Sequence, residues 1–174
     1  MQNITMGHDP RAVANAILDI ADELSIPVTN LQLNKALFYA HADCIQNLGR
    51  RVASLPFEAW QYGPVMPCVY HEFKSSGDRP IRTRAKRLNR ETGERELAVL
   101  DDSELSEFLR RIVDFYCRKS GSELVKLSHA FGQAWDYVWN LDPKYKHGMQ
   151  ISDAVILERH EPVMSWRSDE QSKS

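Results

Sequence analysis

Hydrophobic positions recur at helical spacing along most of the chain, and the first such segment begins near residue 9. Apolar side chains between Val13 and Leu24 follow one another at intervals of four, three and four residues, which is the spacing of one face of an amphipathic helix. Asp9 suits the N-cap of this helix, and Pro10 suits its first turn, where no backbone N–H needs an intrahelical partner. The pattern predicts a first helix that starts at Asp9–Pro10.

A second helix is predicted between Thr29 and Gly49, and it should lie at the centre of the fold. Thr29 and Gln32 have the spacing of a capping box, in which each side chain accepts a hydrogen bond from the other residue's backbone N–H. Gly49 suits the left-handed position that ends many helices. The predicted inner face consists of Leu33, Leu37, Ala40, Cys44 and Leu48.

Helical spacing returns in the second half of the chain. Asp102 or Ser103 can cap a helix whose apolar positions run to Tyr116, and Ser122 is the predicted cap of a shorter helix. Ser152–Asp153 should cap a last helix that reaches about His160. These segments predict a bundle of helices.

The period changes to two between Phe57 and Tyr62. Phe57 and Ala59 alternate with Trp60 and Tyr62, so the pattern predicts a strand with Trp60 and Tyr62 on its outer face. We expect Gly63-Pro64 to end the strand and to turn the chain into a helix from about Pro67 to Lys74.

A second β element is possible near residues 84–100, where Thr92-Gly93 stands between two short apolar segments and suits a hairpin turn. The fold class predicted is mainly α: a single-domain helical bundle with a small β element, formed by one strand near 57–62 and a possible hairpin near 84–100.

Composition fits one cytoplasmic globular domain without a membrane segment. The 174 residues suffice for one hydrophobic core. No apolar run approaches the ~20 residues that span a bilayer, and the N-terminus lacks the pattern of a secretory signal. Three cysteines without a CxxC pair are typical of a reducing compartment.

The charge is distributed unevenly, because six basic residues fall between 79 and 90 without an acidic one. This basic arm contains no aromatic residue that could stack on bases, and the rest of the chain is acidic, which argues against nucleic acid as the partner. A solvated loop, or a contact surface for an acidic protein partner, fits better, and in the second case Arg82, Arg84 and Arg87 are the expected contacts.

Two kinds of chemistry remain open alternatives to a binding protein. His41 with Cys44, and Cys68 with His71, each stand three residues apart and could together surround zinc, although Cys44 equally suits the apolar core. A thiol-dependent enzyme would use Cys68. The chain has no P-loop, no GxSxG and no GxGxxG, so we expect no enzyme and no cofactor.

Aromatic residues are more numerous than one small core readily needs, and tryptophan and tyrosine are favoured anchors of protein interfaces. The outer face of the predicted strand carries Trp60 and Tyr62, and the following helix carries Tyr70 and Phe73. Together they predict a partner-binding surface beside Gly63 and Pro64.

Four segments resemble the Panacea domain family, the SocA/GepA-like antitoxins of bacteria and phages. They are LNKALFYAHADCIQNLGRR, FEAWQYGPVMPCVYHEFKSSG, SGSELVKLSHAFGQAW and ISDAVILE. The most specific part is the motif Trp60-x-Tyr62-Gly63-Pro64-Val65. The resemblance places a Panacea domain at 9–160 with a basic insertion at 79–90, followed by a polar tail at 161–174.

The resemblance implies an antitoxin that binds and neutralises a toxin protein encoded nearby. His129 and Trp135, in the third segment, join the expected partner contacts. Some relatives are proteolytic adaptors that deliver a bound toxin to a ClpXP-type protease, which is the main alternative function. Ala134 stands where a proline is expected, and no additional DNA-binding domain is evident, so a DNA-binding regulator is the least favoured alternative.

Overall fold

In a computed structural model that describes residues 6–145 and 147–166, the chain is mainly helical, as the sequence predicts. Seven α-helices and five short strands occur in the described residues. They are α1 (Pro10–Glu23), α2 (Asn30–Leu48), β1 (Phe57–Trp60), β2 (Gly63–Val65), α3 (Pro67–Phe73), β3 (Lys86–Leu88), β4 (Arg95–Leu97), α4 (Ser103–Tyr116), α5 (Gly121–Ser128), α6 (Ala134–Trp139), β5 (Met149–Ile151) and α7 (Asp153–Arg159). None of the described helices is long and apolar enough to cross a membrane.

Helix α2 occupies the centre of the bundle. The predicted capping box is confirmed, because Thr29 and Gln32 each accept a hydrogen bond from the other's backbone, and Gly49 ends the helix in the left-handed conformation. The helix is buried on every side from Leu33 to Ile45, with α1, α4, α5 and α7 packed around it. It therefore carries polar residues into the interior, including a lysine.

Side chains cap the N-termini of α1, α4 and α5. Asp9 caps α1 with Pro10 in its first turn, and Asp102 caps α4, as predicted. The prediction that Ser122 caps the next helix was wrong. Ser120 caps α5 in a second capping box with Glu123, so the helix starts two residues earlier.

The strand pattern near residue 60 forms a hairpin, which corrects the predicted stop at Gly63-Pro64. The chain reverses at Gln61 and Tyr62, and Gly63 and Pro64 are the first residues of β2. β1 pairs with β2 on one side and with β5 on the other, both antiparallel. β5 has three residues, too few for a period to be visible in the sequence.

The predicted hairpin near 84–100 is confirmed as β3 and β4, which pair antiparallel around Gly93. Its base is fixed to α1 by the buried side chain of Asn15. Asn15 Nδ2 donates hydrogen bonds to the carbonyls of Ala85 and Ala98, both at 2.9 Å, and its Oδ1 accepts one from Ala85 N at 2.8 Å.

The packed region extends beyond the predicted domain boundary at 160. The carboxylate of Asp43, fully buried in α2, lies 2.5 Å from His160 Nε2 and accepts a hydrogen bond from Trp166 Nε1 at 3.2 Å. The Trp166 ring also stacks on Phe108. Residues 161–166 thus run along the domain, and the rest of the predicted tail lies outside the described residues.

Candidate partner-binding site

The turn between β1 and β2 brings Tyr62 to the surface and Gly63 into the interior. Gly63 has a φ of +110°, and a Cβ atom there would lie 2.5 Å from Ser128 Oγ and 2.8 Å from Lys35 Cε. Glycine is therefore required both for the backbone conformation and for the approach of α2 and α5. Tyr62, at the tip of the turn, is 61% exposed.

Trp60 is held by hydrogen bonds at its ring and its backbone, and its ring contacts Tyr70. The indole Nε1 donates to Glu58 Oε2 at 2.8 Å, and the backbone carbonyl accepts from Trp135 Nε1 at 2.8 Å. The rings of Trp60 and Tyr70 meet edge to face, with centroids 4.9 Å apart. The sequence predicts that Trp60, Tyr62 and Tyr70 share one surface, and all three line one cavity.

This aromatic cavity has a volume of about 490 Å³ and lies between α2, α3 and the β1–β2 turn. Two buried amides connect its sides: Asn34 Nδ2 donates to Asn30 Oδ1 at 2.9 Å, and Asn30 Nδ2 donates to the carbonyl of Tyr70 at 3.0 Å. Asn34 Oδ1 accepts from Met66 N at 3.0 Å, which ties α2 to the chain entering α3. Among the residues that the structure describes, no aspartate or glutamate lines the cavity.

Lys35 lies in the wall of the aromatic cavity and is 0% exposed. Its Nζ donates one hydrogen bond, to the carbonyl of Pro64 at 3.1 Å. Burial lowers the pKa of Lys35 from 10.5 to about 7, because the charged form loses its hydration. Gly63 and Pro64 are both buried. They therefore shape the site from the core side and are not exposed contacts for a partner.

Two predicted contacts lie too deep to meet a partner directly, which corrects the sequence interpretation, and a third, His129, is only partly exposed. Phe73 is 1% exposed and Trp135 is 6% exposed, both within the core. His129 stacks face to face on Trp135, with ring centroids 3.8 Å apart. Burial, and next the positive charge of Lys35, lower the pKa of His129. His129 and Trp135 thus support Trp60 from the core side, where Trp135 Nε1 donates a hydrogen bond to the Trp60 carbonyl.

The basic arm forms β3 and the segment before it, and none of its residues lines the aromatic cavity. Arg84 is engaged within the chain, with its guanidinium 2.7 Å from Asp19 and 2.5 Å from Asp22 on α1. Arg87 lies 3.8 Å from a glutamate on β4. Arg82 is exposed and forms no ion pair with a described residue. Of the three predicted arginine contacts, Arg84 therefore has a structural role, and Arg82 and Arg87 remain candidates.

The four side chains considered for zinc do not come together. His41 Nε2 lies 2.8 Å from Asp153 Oδ1, and its Nδ1 accepts a hydrogen bond from Ala53 N. Cys44 is buried in the core, whereas His71 is exposed on α3. In the described parts of the chain, no three His, Cys, Asp or Glu side chains are grouped as a metal site requires.

The cysteines are also poorly suited to nucleophilic catalysis. Burial raises the pKa of the Cys44 thiol to about 11 and that of Cys117 to about 12, and it raises the pKa of Cys68 as well. A nucleophilic cysteine reacts as the thiolate, which a raised pKa disfavours at neutral pH.

Two residues of interest are absent from the sequence predictions. Phe131 is 98% exposed, at the tip of the loop between α5 and α6. Lys35 could have been noticed, because it interrupts a helix that is apolar enough to be buried on every side. Its place in the cavity wall depends on the hairpin turn, which the sequence interpretation placed differently.

Comparison with known proteins gives a consistent result. The family model described as Antitoxin SocA-like, Panacea domain, matches residues 33–136. Antitoxin SocA of Caulobacter vibrioides (strain NA1000 / CB15N) is 38% identical over 156 residues, which cover 87% of this chain and 81% of that relative. No solved structure matches the chain. The matched range contains α2 from Leu33 onwards, the β1–β2 hairpin and α3, and these elements supply most of the lining of the aromatic cavity.

Proposed function

The chain belongs to the SocA-like antitoxins of the Panacea domain family, and we propose that it neutralises a cognate toxin by binding that protein directly. The observation that carries this proposal is the aromatic cavity with the exposed Tyr62 at its rim. We propose that this cavity receives part of the toxin, which is encoded nearby and meets the antitoxin in the cytoplasm.

The geometry of the aromatic cavity favours tight binding. Trp60 is fixed by its ring and its backbone, and the amides of Asn30 and Asn34 connect the two sides. Aromatic side chains that are already ordered lose little conformational entropy when a partner binds. Tyrosine and tryptophan in such positions are frequent hot spots of protein interfaces.

We propose that neutralisation involves no chemistry by the antitoxin. The side chains considered for an enzyme have other partners or unfavourable ionisation, since His41 is paired with Asp153 and the thiols have raised pKa values. Arg84 forms ion pairs with Asp19 and Asp22 of α1. The basic arm therefore has fewer free charges with which to bind nucleic acid. A stoichiometric protein complex is the function that fits these contacts best.

Co-expression with the neighbouring reading frame tests the proposal. The expected result is growth arrest by the neighbour alone, relief by the antitoxin, and co-purification of the two proteins. Relief that requires ClpXP, with loss of the neighbour protein, would replace direct blocking by the adaptor mechanism. A neighbour that is harmless and never co-purifies would contradict the toxin pairing.

A variant at the rim of the aromatic cavity tests whether this site is needed for the relief of growth arrest. Tyr62→Ala should abolish relief while leaving the circular dichroism spectrum unchanged, because the side chain is mostly exposed. Phe131→Ala removes another exposed aromatic ring far along the sequence and serves as the matched control. Equal relief by both variants would argue against the aromatic cavity as the toxin-binding site.

A further inference from the structure

A second concave surface, which we call the basic groove, lies between the start of α1, helix α3 and the β3–β4 hairpin. It has a volume of about 810 Å³. Asp9 and Glu72 contribute the two carboxylates among the described residues of its lining. The fold also brings together there five cationic side chains from three separate segments: Arg11, Lys86, Arg87, Arg90 and Arg95. The groove therefore has an excess of positive charge, on a chain whose net charge is -2.

Most of these cations are presented to solvent and have little competition within the chain. Lys86, Arg90 and Arg95 are exposed and form no ion pair with a described residue. Arg87 and Arg11 each have a carboxylate nearby, at the longer distances of 3.8 and 3.6 Å. Such exposed pairs contribute little to stability, so a ligand can replace them at low cost. The positive charges of the groove are thus available to an anionic partner.

We propose that the basic groove binds an acidic, extended segment of the toxin, as a second contact in addition to the aromatic cavity. The inference rests on the proposed function, since it gives the same partner a second contact. Four of the five cations are arginines. Clusters of arginine commonly recognise acidic segments, because one guanidinium group can donate two parallel hydrogen bonds to one carboxylate.

The lining of the basic groove suits a peptide better than a nucleic acid. Asp9 and Glu72 would repel adjacent phosphates, whereas a peptide also has backbone N–H groups that a carboxylate can accept. Leu88 is 60% exposed and offers an apolar contact to side chains that alternate with the acidic ones. No tryptophan, tyrosine or phenylalanine on which bases could stack is found among the described residues of the lining.

Three labelled ligands test this preference on the whole chain without the toxin. Hexaglutamate, hexaglutamine and a thymidine oligonucleotide of six residues, each carrying fluorescein, are compared by fluorescence anisotropy at low salt. Hexaglutamate should bind about ten-fold more tightly than hexaglutamine, which lacks the charge, and more tightly than the oligonucleotide. Equal binding of the two peptides would overturn the inference. Tighter binding of the oligonucleotide would also overturn it, in favour of nucleic acid.

Two pairs of substitutions locate the binding. Arg90→Ala with Arg95→Ala should weaken hexaglutamate binding about five-fold, because both side chains are exposed in the groove and each loses a charge-assisted contact. Arg79→Ala with Lys126→Ala removes the same charge from exposed positions outside the groove, the latter on α5, and should leave the affinity unchanged. Equal losses in the two double variants would overturn the inference, because they would show attraction to the overall charge only.

The purified toxin complex tests whether the toxin is the source of the acidic segment. Arg90→Ala with Arg95→Ala should raise the dissociation constant of this complex at low salt, by a factor similar to that for hexaglutamate, and the control pair should not. An unchanged constant in the groove variant would overturn the inference and leave the proposed function standing, since the aromatic cavity would bind the toxin alone. The proposed function fails separately, if the neighbouring protein causes no growth arrest and never co-purifies.

Discussion

The aromatic cavity and the β3–β4 hairpin differ in how they are attached to the rest of the fold. The cavity is enclosed by paired buried groups, in which Asn30, Asn34 and Lys35 each hydrogen-bond another element. The hairpin is attached mainly at its base by Asn15, and the residues of β4 are exposed. A substitution of one of these buried cavity residues therefore alters the packing of several elements, whereas one at the exposed end of the hairpin alters a local surface.

This difference bears on how one antitoxin domain can acquire a toxin partner. A surface built from core elements is ordered before binding, so it can supply affinity through a few anchors. Exposed charges on a hairpin contribute mainly to association rate and selectivity, and they are screened by salt. We infer that the cavity supplies most of the affinity and the hairpin adjusts it.

The largest expected effect is a pH dependence of stability that comes from Lys35. Burial lowers its pKa from 10.5 to about 7. As the pH falls from 10.5 to 7, the unfolded chain takes up a proton there that the folded chain does not, so stability falls. Below pH 7 both states are protonated and the penalty stays constant.

Urea denaturation of the protein and of Lys35→Met measures this effect. Relative to the variant, the unaltered protein should lose about 3 kcal/mol of unfolding free energy between pH 9.5 and pH 7, at about 1.4 kcal/mol per pKa unit. The same comparison with Lys126→Met should be flat. A flat result for Lys35→Met would mean that the lysine is hydrated in the folded protein.

Alanine substitutions at two glycines compare the stability of the two regions directly. Gly63→Ala should destabilise the protein by roughly 2 to 3 kcal/mol, because the new Cβ meets Ser128 and Lys35 and the φ angle is unfavourable. Gly93→Ala, at the hairpin turn, has a φ of +73° but nothing within 4 Å of the new Cβ, and it should cost about 1 kcal/mol. Thermal denaturation ranks the two, and equal losses would contradict the tight approach at Gly63.

Asn15→Ala should release the base of the hairpin. Two carbonyls and one N–H would lose the hydrogen bond to Asn15, at a cost of about 2 kcal/mol, while the Ala85 carbonyl keeps its bond from Ala98 N. Hydrogen exchange of the Ala85 and Ala98 amides should accelerate, while the amides of α2 keep their protection relative to global stability. Uniform acceleration throughout the chain would show that the hairpin and the bundle unfold together.

The smallest expected effect belongs to the exposed arginines. Arg82→Ala with Arg87→Ala should weaken toxin binding by less than about 1 kcal/mol at low salt, and the effect should vanish at high salt. Arg118→Ala, on the surface of α4 and paired with Asp114, is the control. A loss that persists at high salt would place these arginines in a desolvated interface.

Features set by neighbouring residues were predictable from sequence. The capping box at Thr29, the glycine at the end of α2 and the turn at Gly93 depend on groups within a few positions of each other. The hairpin at Tyr62 was misjudged because Gly63-Pro64 is typical of a chain break. The absence of a side chain at Gly63 is explained by the close approach of Lys35 and Ser128, which are distant in sequence.

The candidate site was predictable only in part. The alternation from Phe57 to Tyr62 indicated that Trp60 and Tyr62 share a face, and both line the cavity. Aromatic identity alone could not separate rim from core, so Phe73 and Trp135 were assigned to the surface. The position of Lys35 depends on its hydrogen bond to the Pro64 carbonyl, which no local sequence pattern predicts.

Direct binding of the toxin at the aromatic cavity is tested most directly by the dissociation constant of the purified complex for Tyr62→Ala and for Phe131→Ala. Tyr62→Ala should weaken binding by about 2 kcal/mol, roughly thirty-fold, as expected for an interface anchor. Phe131→Ala should leave the constant unchanged. A toxin that binds Tyr62→Ala as tightly as the unaltered protein, and loses affinity for Phe131→Ala, would contradict the account and move the interface to the loop between α5 and α6.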